Sequence, residues 1–335
     1  MARHGKLADI AKQARVSEAT VSRVLNGRPG VSDATRAAVL TALDVIGYER
    51  PTQLRGGKAR MVGLVVPELQ NPIFPAFAEV VAGGLAQRGF NAVLCTRTGS
   101  MSEAEYVEML LERQVSGMIF AGGQYAEADA PHDHYTRLRE LRLPVVLVNA
   151  AADHLDFPRV STDDAVAMEQ AYGHLAHLGH ERIGLILGPH DHMPSRRKLE
   201  AFERIAGAPQ DLVERTRFSI EGGHAAATKL LERGATGIIC ASDPLALGAV
   251  RAARRAGLDV PGDLSVVGYD DSPLMACTDP PLTTVRQPIE AIGRAAVEML
   301  AGQIEGTEVA AEELFFEPEI VARGSTATAR VLAQA

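Results

Sequence analysis

A chain of 335 residues is longer than one compact unit usually is, so two or three domains are expected. Hydrophobic residues at 46% and charged residues at 23% are ordinary for a soluble globular protein, and no apolar run reaches the length that crosses a membrane. The net charge of −8 conceals a split: residues 1–60 hold eleven Lys/Arg against five Asp/Glu, a net +6, which leaves −14 on the rest. A basic head on an acidic body suits a protein that touches a polyanion with one end only. The start, MARHGKLADI, lacks the apolar stretch of a signal peptide, so a cytoplasmic location is expected. Cys95, Cys240 and Cys277 are far apart and odd in number; buried free thiols are expected rather than a disulfide framework or a zinc site.

Residues 7–47 read as three short helices. Leu7, Ile10, Ala11 and Ala14 fall at helical spacing, and Ser17 stands where it can cap a second helix over Glu18–Leu25, stopped by Asn26-Gly27. Ser32 is placed to cap a third, with Val39, Leu43 and Ile46 as its apolar stripe and Gly47 at its end. Residues 50–60, RPTQLRGGKAR, are basic, glycine-containing and poor in apolar residues, and read as a linker.

From Met61 the pattern becomes strands alternating with helices. Val62–Val66, Ala92–Cys95, Gly117–Ala121 and Pro144–Val148 read as strands between amphipathic stretches near 76–88, 102–113 and 134–142. A second series follows: Arg182–Leu187, Thr216–Ile220, Thr236–Ala241 and Leu264–Tyr269, with helices near 165–178, 196–206, 223–233 and 244–256. Alternation of this kind builds α/β layers, parallel sheets covered by helices on both faces. Ligands in such sheets gather at the carboxyl ends of the strands. Two series of similar length predict two lobes facing one another across a cleft.

On the second helix Val21, Val24 and Leu25 share one face, suited to packing on the first helix. Glu18, Ala19, Ser22 and Arg23 share the other. A helix in the major groove presents such groups, since Arg reaches guanine O6/N7 with two bonds and Glu accepts from cytosine N4. The competing reading is a plain three-helix bundle with a solvated face. Thr35 and Arg36 fit a phosphate contact or a solvated helix equally well.

The stretch LADIAKQARVSEATVSRVLNGRPGVSDATR, followed by ALDVIGY, closely resembles the DNA-binding head of the lactose-repressor (LacI/GalR) family. The resemblance implies a helix-turn-helix head in which Glu18, Ala19 and Arg23 choose the operator sequence. Ser17, Thr20, Ser22 and Asn26 then hold phosphates or support the helix, and Leu7 and Thr35 are further candidate DNA contacts. It also implies a hinge whose leucine wedges into the minor groove, for which Leu54 is the candidate. Here the chain departs from the pattern: the alanine-arginine run before that leucine is missing, the segment after Tyr48 is short, and Pro51 limits any helix.

The resemblance covers almost the whole chain, through GHERIGLILGP, ASDPLALGAVRAARRAGLDVPGDLSVVGYDDS and PPLTTVRQP. It implies a two-lobed sensor like the periplasmic binding proteins. The expected division is a head at 1–49, a hinge at 50–60 and an effector-binding and dimerisation core at 61–335. Within the core, one lobe is 61–161 plus 288–316 and the other 162–287 plus 317–335. Asn71 and Phe74 (in QNPIF), Asn149 (closing VVLVN), Asp163, Phe218, Ser242, Asp270 (in GYDD) and Gln287 match effector contacts of the family. Where the family places a clamping arginine the chain carries Lys198, with Arg197 beside it. Lysine is a point charge rather than a planar fork, which favours a neutral polyol over an anionic effector. Asp243 and Asp270 could instead cap the helices that follow, and Phe218 could be core.

His174, His177 and His180 recur every three residues, but the companion acid of a zinc motif is missing, so solvated surface and loop histidines are expected and no metal or cofactor. An enzyme is disfavoured by the absence of GxxxxGK[ST], of GxGxxG after the first strand and of GxSxG. A solute-binding module without DNA function is disfavoured by the basic head. The expected partners are double-stranded operator DNA, a carbohydrate effector and a second copy of the chain, as a homodimer or a tetramer, with no membrane. YERPTQLRG, PELQNPIFPAFAEV and EGGHAAATKLL look most like actinobacterial regulators of maltose or maltodextrin use.

Overall fold

The computed structural model describes residues 9–25, 30–45, 60–96, 101–149, 153–207 and 210–330. The chain separates into two compact units, Met1–Arg60 and Met61–Ala335. In the first, helical residues 9–14 (α1) precede α2 (Glu18–Leu25) and α3 (Asp33–Val45). Ser17 Oγ accepts from Thr20 N at 3.1 Å and Ser32 Oγ from Thr35 N at 3.2 Å, so both serines answer orphan amides at the helix starts. Ile10, Ala11, Val21, Val24, Val39 and Ala42 form a small closed core.

The second unit holds two six-stranded sheets. The first comprises β1 (Arg60–Val66), β2 (Phe90–Thr96), β3 (Gly117–Ala121), β4 (Val145–Val148), β5 (Arg159–Thr162) and β11 (Glu313–Phe316), in the order β11-β5-β4-β3-β1-β2. The second comprises β6 (Ile183–Leu187), β7 (Val213–Arg215), β8 (Gly237–Cys240), β9 (Ser265–Asp270), β10 (Thr283–Arg286) and β12 (Glu319–Val321), in the order β12-β10-β9-β8-β6-β7. From β11 through to β1 in the first sheet and from β10 through to β7 in the second the neighbours pair in parallel, whereas β10 and β12 run antiparallel.

β3, β4, β6 and β8 are continuous runs of buried residues, as strands covered on both faces must be. One face of the first sheet packs under α4 (Ile73–Gln87) and α11 (Ile289–Ile304), through Phe77, Val81, Leu85, Ile292 and Leu300. The other packs under α5 (Glu103–Glu112) and α6 (Asp133–Glu140), through Val107, Leu110, Tyr135 and Leu138. The second sheet is wrapped by α7 (Asp164–His177), α8 (Met193–Ala206), α9 (Ile220–Glu232) and α10 (Asp243–Arg255) around one apolar cluster. The chain crosses between lobes three times: after β5, after β10 and between β11 and β12.

Several expectations are corrected. Thr216–Ile220 is not a strand: Ser219 Oγ accepts from Gly222 N at 3.0 Å, which starts α9 at Ile220, and the edge strand lies earlier at Val213–Arg215. Cys277 is exposed, while Cys95 and Cys240 are buried. His180 is a buried strut rather than a solvated loop residue, its ring meeting Ser265 Oγ at 2.9 Å, Thr236 Oγ1 at 3.0 Å and Ala327 O at 3.1 Å.

Candidate functional site

The head offers one polar surface. Ser17, Glu18, Ala19 and Arg23 are exposed, Thr20 and Ser22 half-buried, while Val21 and Val24 point inward with no exposure. The 100° step of the helix forces this division, so core packing holds the polar face outward. Ser17 Oγ also meets Thr20 Oγ1 at 2.8 Å, and Ser32 Oγ meets Thr35 Oγ1 at 2.9 Å, so these hydroxyls already serve the caps. Leu7, Asn26 and Leu54 lie outside the described residues.

In the body, the carboxyl ends of strands from both sheets converge on one polar network. Asp270, the last residue of β9, accepts from Asn71 Nδ2 at 3.0 Å and from Gln287 Nε2 at 2.7 Å. Gln287 Oε1 in turn accepts from Asn149 Nδ2 at 2.9 Å and Thr162 Oγ1 at 2.8 Å, and Asn149 Oδ1 accepts from Thr162 N at 2.9 Å. Asn71, Asn149 and Thr162 belong to the first lobe, Asp270 to the second, and Gln287 lies on a crossing. Buried polar groups are costly unless bonded, and this set is satisfied only by reaching across the lobes. Burial pushes the Asp270 carboxyl up to about 6 against the pull of its amide donors and of nearby Lys198.

Lys198 is buried, pairs with Asp164 Oδ1 and sits 4.0 Å from the centre of the Tyr269 ring. Its charge is thus answered within the protein, and it faces Asp270 only through space. Arg197 grips Glu313 on β11 with two bonds, 2.7 and 2.6 Å, and lies 5.5 Å from the Phe315 ring. That fork ties the second lobe to the first rather than pointing at Asp270. On the opposite rim, Ala128 N donates to Asp191 O at 2.9 Å beside a backbone bridge from Glu127 to His192.

Phe218 is half-buried, 5.1 Å from the His192 ring, and so close over Gly188 that a Cβ there would meet it at 2.2 Å. His192 caps α8 by accepting from Ser195 N at 3.3 Å; burial, then the charges of Lys198 and Arg215, hold it neutral with its pKa pushed down to about 3. Phe74 is half-buried against the first-lobe core. Asp163 and Ser242 act as N-caps of α7 and α10, taking Ala165 N and Val166 N at 3.0 and 3.1 Å and Leu245 N at 3.4 Å. Neither bonds to the Asp270 network.

The network therefore gathers Asn71, Asn149, Asp270 and Gln287, and leaves Asp163, Ser242 and Arg197 at its margins. Sequence reasoning missed Thr162, Asp164, Tyr269 and Asp243. Of these Asp243, within SDPLALG, and Tyr269, within GYDD, stood in motifs already singled out. A surface depression of about 460 Å³, lined by Leu247, Val250, Arg251, Arg254, Arg255, Thr278 and Asp279, lies on the outside of α10 and shares none of these residues. Among the described residues no group of three or more His, Cys, Asp or Glu is placed to hold a metal ion, and no helix is long and apolar enough to cross a membrane.

A small helical head and a two-lobed α/β body with polar side chains meeting between its sheets define a helix-turn-helix regulator fused to a periplasmic-binding-protein-like sensor. Residues 6–51 match the family described as bacterial regulatory proteins, lacI family, and residues 172–326 match the periplasmic binding protein-like domain. The chain is 52% identical over 334 residues to the HTH-type transcriptional regulator MalR of Streptomyces coelicolor, covering 97% of each. It is 56% identical over 331 residues to an uncharacterized HTH-type transcriptional regulator in the aml 5' region of Streptomyces limosus, covering 96% of this chain and 94% of that one. Among solved structures it resembles a transcriptional regulator CelR–cellobiose complex (TM-score 0.72, 31% identity, 95% of this chain and 99% of that one). A lac repressor dimer bound to operator and the anti-inducer ONPF is also similar (TM-score 0.72, 28% identity, 95% and 98%). The chain belongs to the lacI family of bacterial regulatory proteins, and it is a transcriptional regulator rather than an enzyme.

Proposed function

We propose that the protein is a repressor that binds a palindromic operator as a homodimer and changes its hold when a neutral saccharide of the maltose type enters between its lobes. The head, 1–49, reads DNA through Glu18, Ala19 and Arg23, with Leu7, Ser17, Thr20, Ser22, Asn26 and Thr35 in support. The hinge, 50–60, carries Leu54 as a wedge. The core, 61–335, binds the effector through Asn71, Phe74, Asn149, Phe218, Asp270 and Gln287, with Asp163, Arg197, Lys198 and Ser242 around them.

The observation that carries the reading is the hydrogen-bond network of Asp270, Asn71, Gln287, Asn149 and Thr162. A carboxylate, three carboxamides and a hydroxyl offer alternating donors and acceptors, which is what a ring of sugar hydroxyls needs. Lys198 is already paired, so the described network has no spare cation to favour a phosphate. The maltose-type assignment follows the likeness to MalR, and the cellobiose in the CelR complex supports a saccharide as the ligand class. A ligand bound between lobes shifts their relative angle only by its differential affinity for the two arrangements, and the linker transmits that shift to the paired heads.

A thermal-shift screen tests the ligand class. Ligand at a hundredfold excess over its Kd stabilises the native state by about 2.7 kcal/mol. Maltose or maltotriose is expected to raise Tm, and glucose 6-phosphate and adenosine to leave it unchanged. A rise with adenosine alone contradicts the saccharide reading.

A further inference from the structure

Asp243 has no solvent exposure; its backbone amide meets the Asp270 carboxyl, while its side chain is not among the proposed effector contacts. It opens α10 directly after the capping Ser242, yet its carboxylate turns away from the helix. Oδ2 accepts from Ser272 N at 2.9 Å and from Ser272 Oγ at 3.2 Å, and Oδ1 accepts from Thr284 Oγ1 at 2.7 Å. Gly268 lies against it, where a Cβ would come 2.5 Å from Oδ1. One carboxylate thereby joins the start of α10, the turn after β9 and the strand β10.

That turn is the one that carries Asp270. Asp270 has φ +118° and Asp271 φ +56°, two consecutive left-handed conformations in residues that bear a Cβ. Such a backbone persists only when its surroundings over-determine it. Arg286 Nε and Arg323 Nη2 each hold the Asp271 carboxylate at 2.7 Å. Asp243 holds the next residue, Ser272, by both its amide and its hydroxyl. Between these grips the Asp270 side chain is aimed at Asn71 and Gln287.

We infer that Asp243 is a positioning residue for effector recognition: through Ser272 it keeps the Asp270–Asp271 turn left-handed and so directs the Asp270 carboxylate toward the first lobe. Its functional consequence rests on the reading of Asp270 as an effector contact; its geometric content does not. Asp243→Ala removes the grip. Asp243→Asn retains a carbonyl for Ser272 N while its amide can donate to the Thr284 hydroxyl oxygen, so it is the conservative rescue.

The test uses the full chain. In a crystal structure of Asp243→Ala, the Asp270 carboxylate is expected beyond hydrogen-bond reach of Asn71 and Gln287, and in Asp243→Asn within reach. With maltose as probe, Asp243→Ala should need about tenfold more sugar for half-maximal change in operator binding, whereas sugar-free operator affinity stays as in the wild type. Asp243→Asn should restore the response, which a general loss of stability would not produce. Intact Asp270 bonds in Asp243→Ala overturn the inference. Should maltose fail to act on the wild type, the saccharide reading falls alone and the crystal geometry still decides the role of Asp243. If Asp243→Ala does not fold, the double variant Ser272→Ala/Thr284→Val strips two of the three donors, and an unmoved Asp270 there overturns it equally.

Discussion

Arg23 and Asp270 are the two side chains on which each half of the proposed mechanism turns. Arg23 is exposed on α2, opposite Val21 and Val24, so replacing it by Ala leaves the head core alone. Loss of a two-bond base contact is worth about 1–3 kcal/mol, so Arg23→Ala should weaken operator binding roughly ten- to a hundredfold and relax preference at one base position. Fluorescence anisotropy against a panel of operator variants measures both; an unchanged profile removes Arg23 from the reading surface. For Asp270 the sign of the pH effect is fixed by its carboxyl being raised by burial to about 6. A raised acid keeps its proton in the folded chain where the unfolded chain has lost it. Its stabilising contribution is therefore fully present below the unfolded value near 4 and is lost as pH rises through about 6. Ionised Asp270 is the better acceptor for a hydroxyl, so saccharide affinity should rise over the same interval. Calorimetry between pH 4 and 8 should show the two trends opposing each other; Asp270→Asn should flatten the affinity trend and leave the part of the stability trend that buried Asp243, raised to about 8, contributes with the same sign.

At the scale of elements, α9 and α10 pack so closely that their glycines have no substitute. A Cβ on Gly223 would lie 2.2 Å from Leu245 O, and one on Gly248 2.3 Å from Ile220 O. Gly248→Ala should destabilise the second lobe by about 1–3 kcal/mol or more, since backbone cannot yield as a flexible side chain does. Urea unfolding reads this directly, and a midpoint equal to that of the wild type contradicts it. Helix starts were legible in the sequence because capping is local: Ser17 and Ser32 announced α2 and α3 from three residues away. Thr216–Ile220 misled because β-branched and aromatic residues there outweighed the cap at Ser219. The end-of-strand polar residues Asn71, Asn149, Asp270 and Gln287 were legible from motif matches. Their mutual bonding was not, because it joins residues up to 199 positions apart. For the same reason Arg197 and Lys198 could be named but not their partners Glu313 and Asp164, which sit in other elements and carry no local pattern.

Across the whole molecule, the two lobes are tied on one rim by Ala128 and Asp191 and elsewhere by the Arg197–Glu313 fork. Glu313 is the more buried partner, with a side chain 7% exposed against 26% for Arg197. Arg197→Ala should therefore cost about 1–3 kcal/mol, less than a fully buried pair would, because Arg159, 3.9 Å from Glu313, still answers that carboxylate; in the double-mutant cycle the losses of Arg197→Ala and Glu313→Ala should be non-additive. Additive losses in a urea-unfolding cycle contradict the pairing. The same tie opposes separation of the lobes, so Arg197→Ala should also shift the sugar concentration at half response.

In the proposed mechanism the division between a head of net charge +6 and a body of −14 confines DNA contact to one end and leaves the body free to sense a ligand. The measurement that bears on this most directly is a binding titration of the intact protein against the promoter fragment beside its own gene, with bulk genomic DNA as competitor, run with and without maltotriose. The predicted result is a protected palindromic site held in preference to bulk DNA, with an affinity that changes at least tenfold when the sugar is added, a free-energy difference of about 1.4 kcal/mol. Binding to promoter and bulk DNA with equal strength, unmoved by maltotriose and by the other sugars of the thermal-shift screen, is the result that contradicts it.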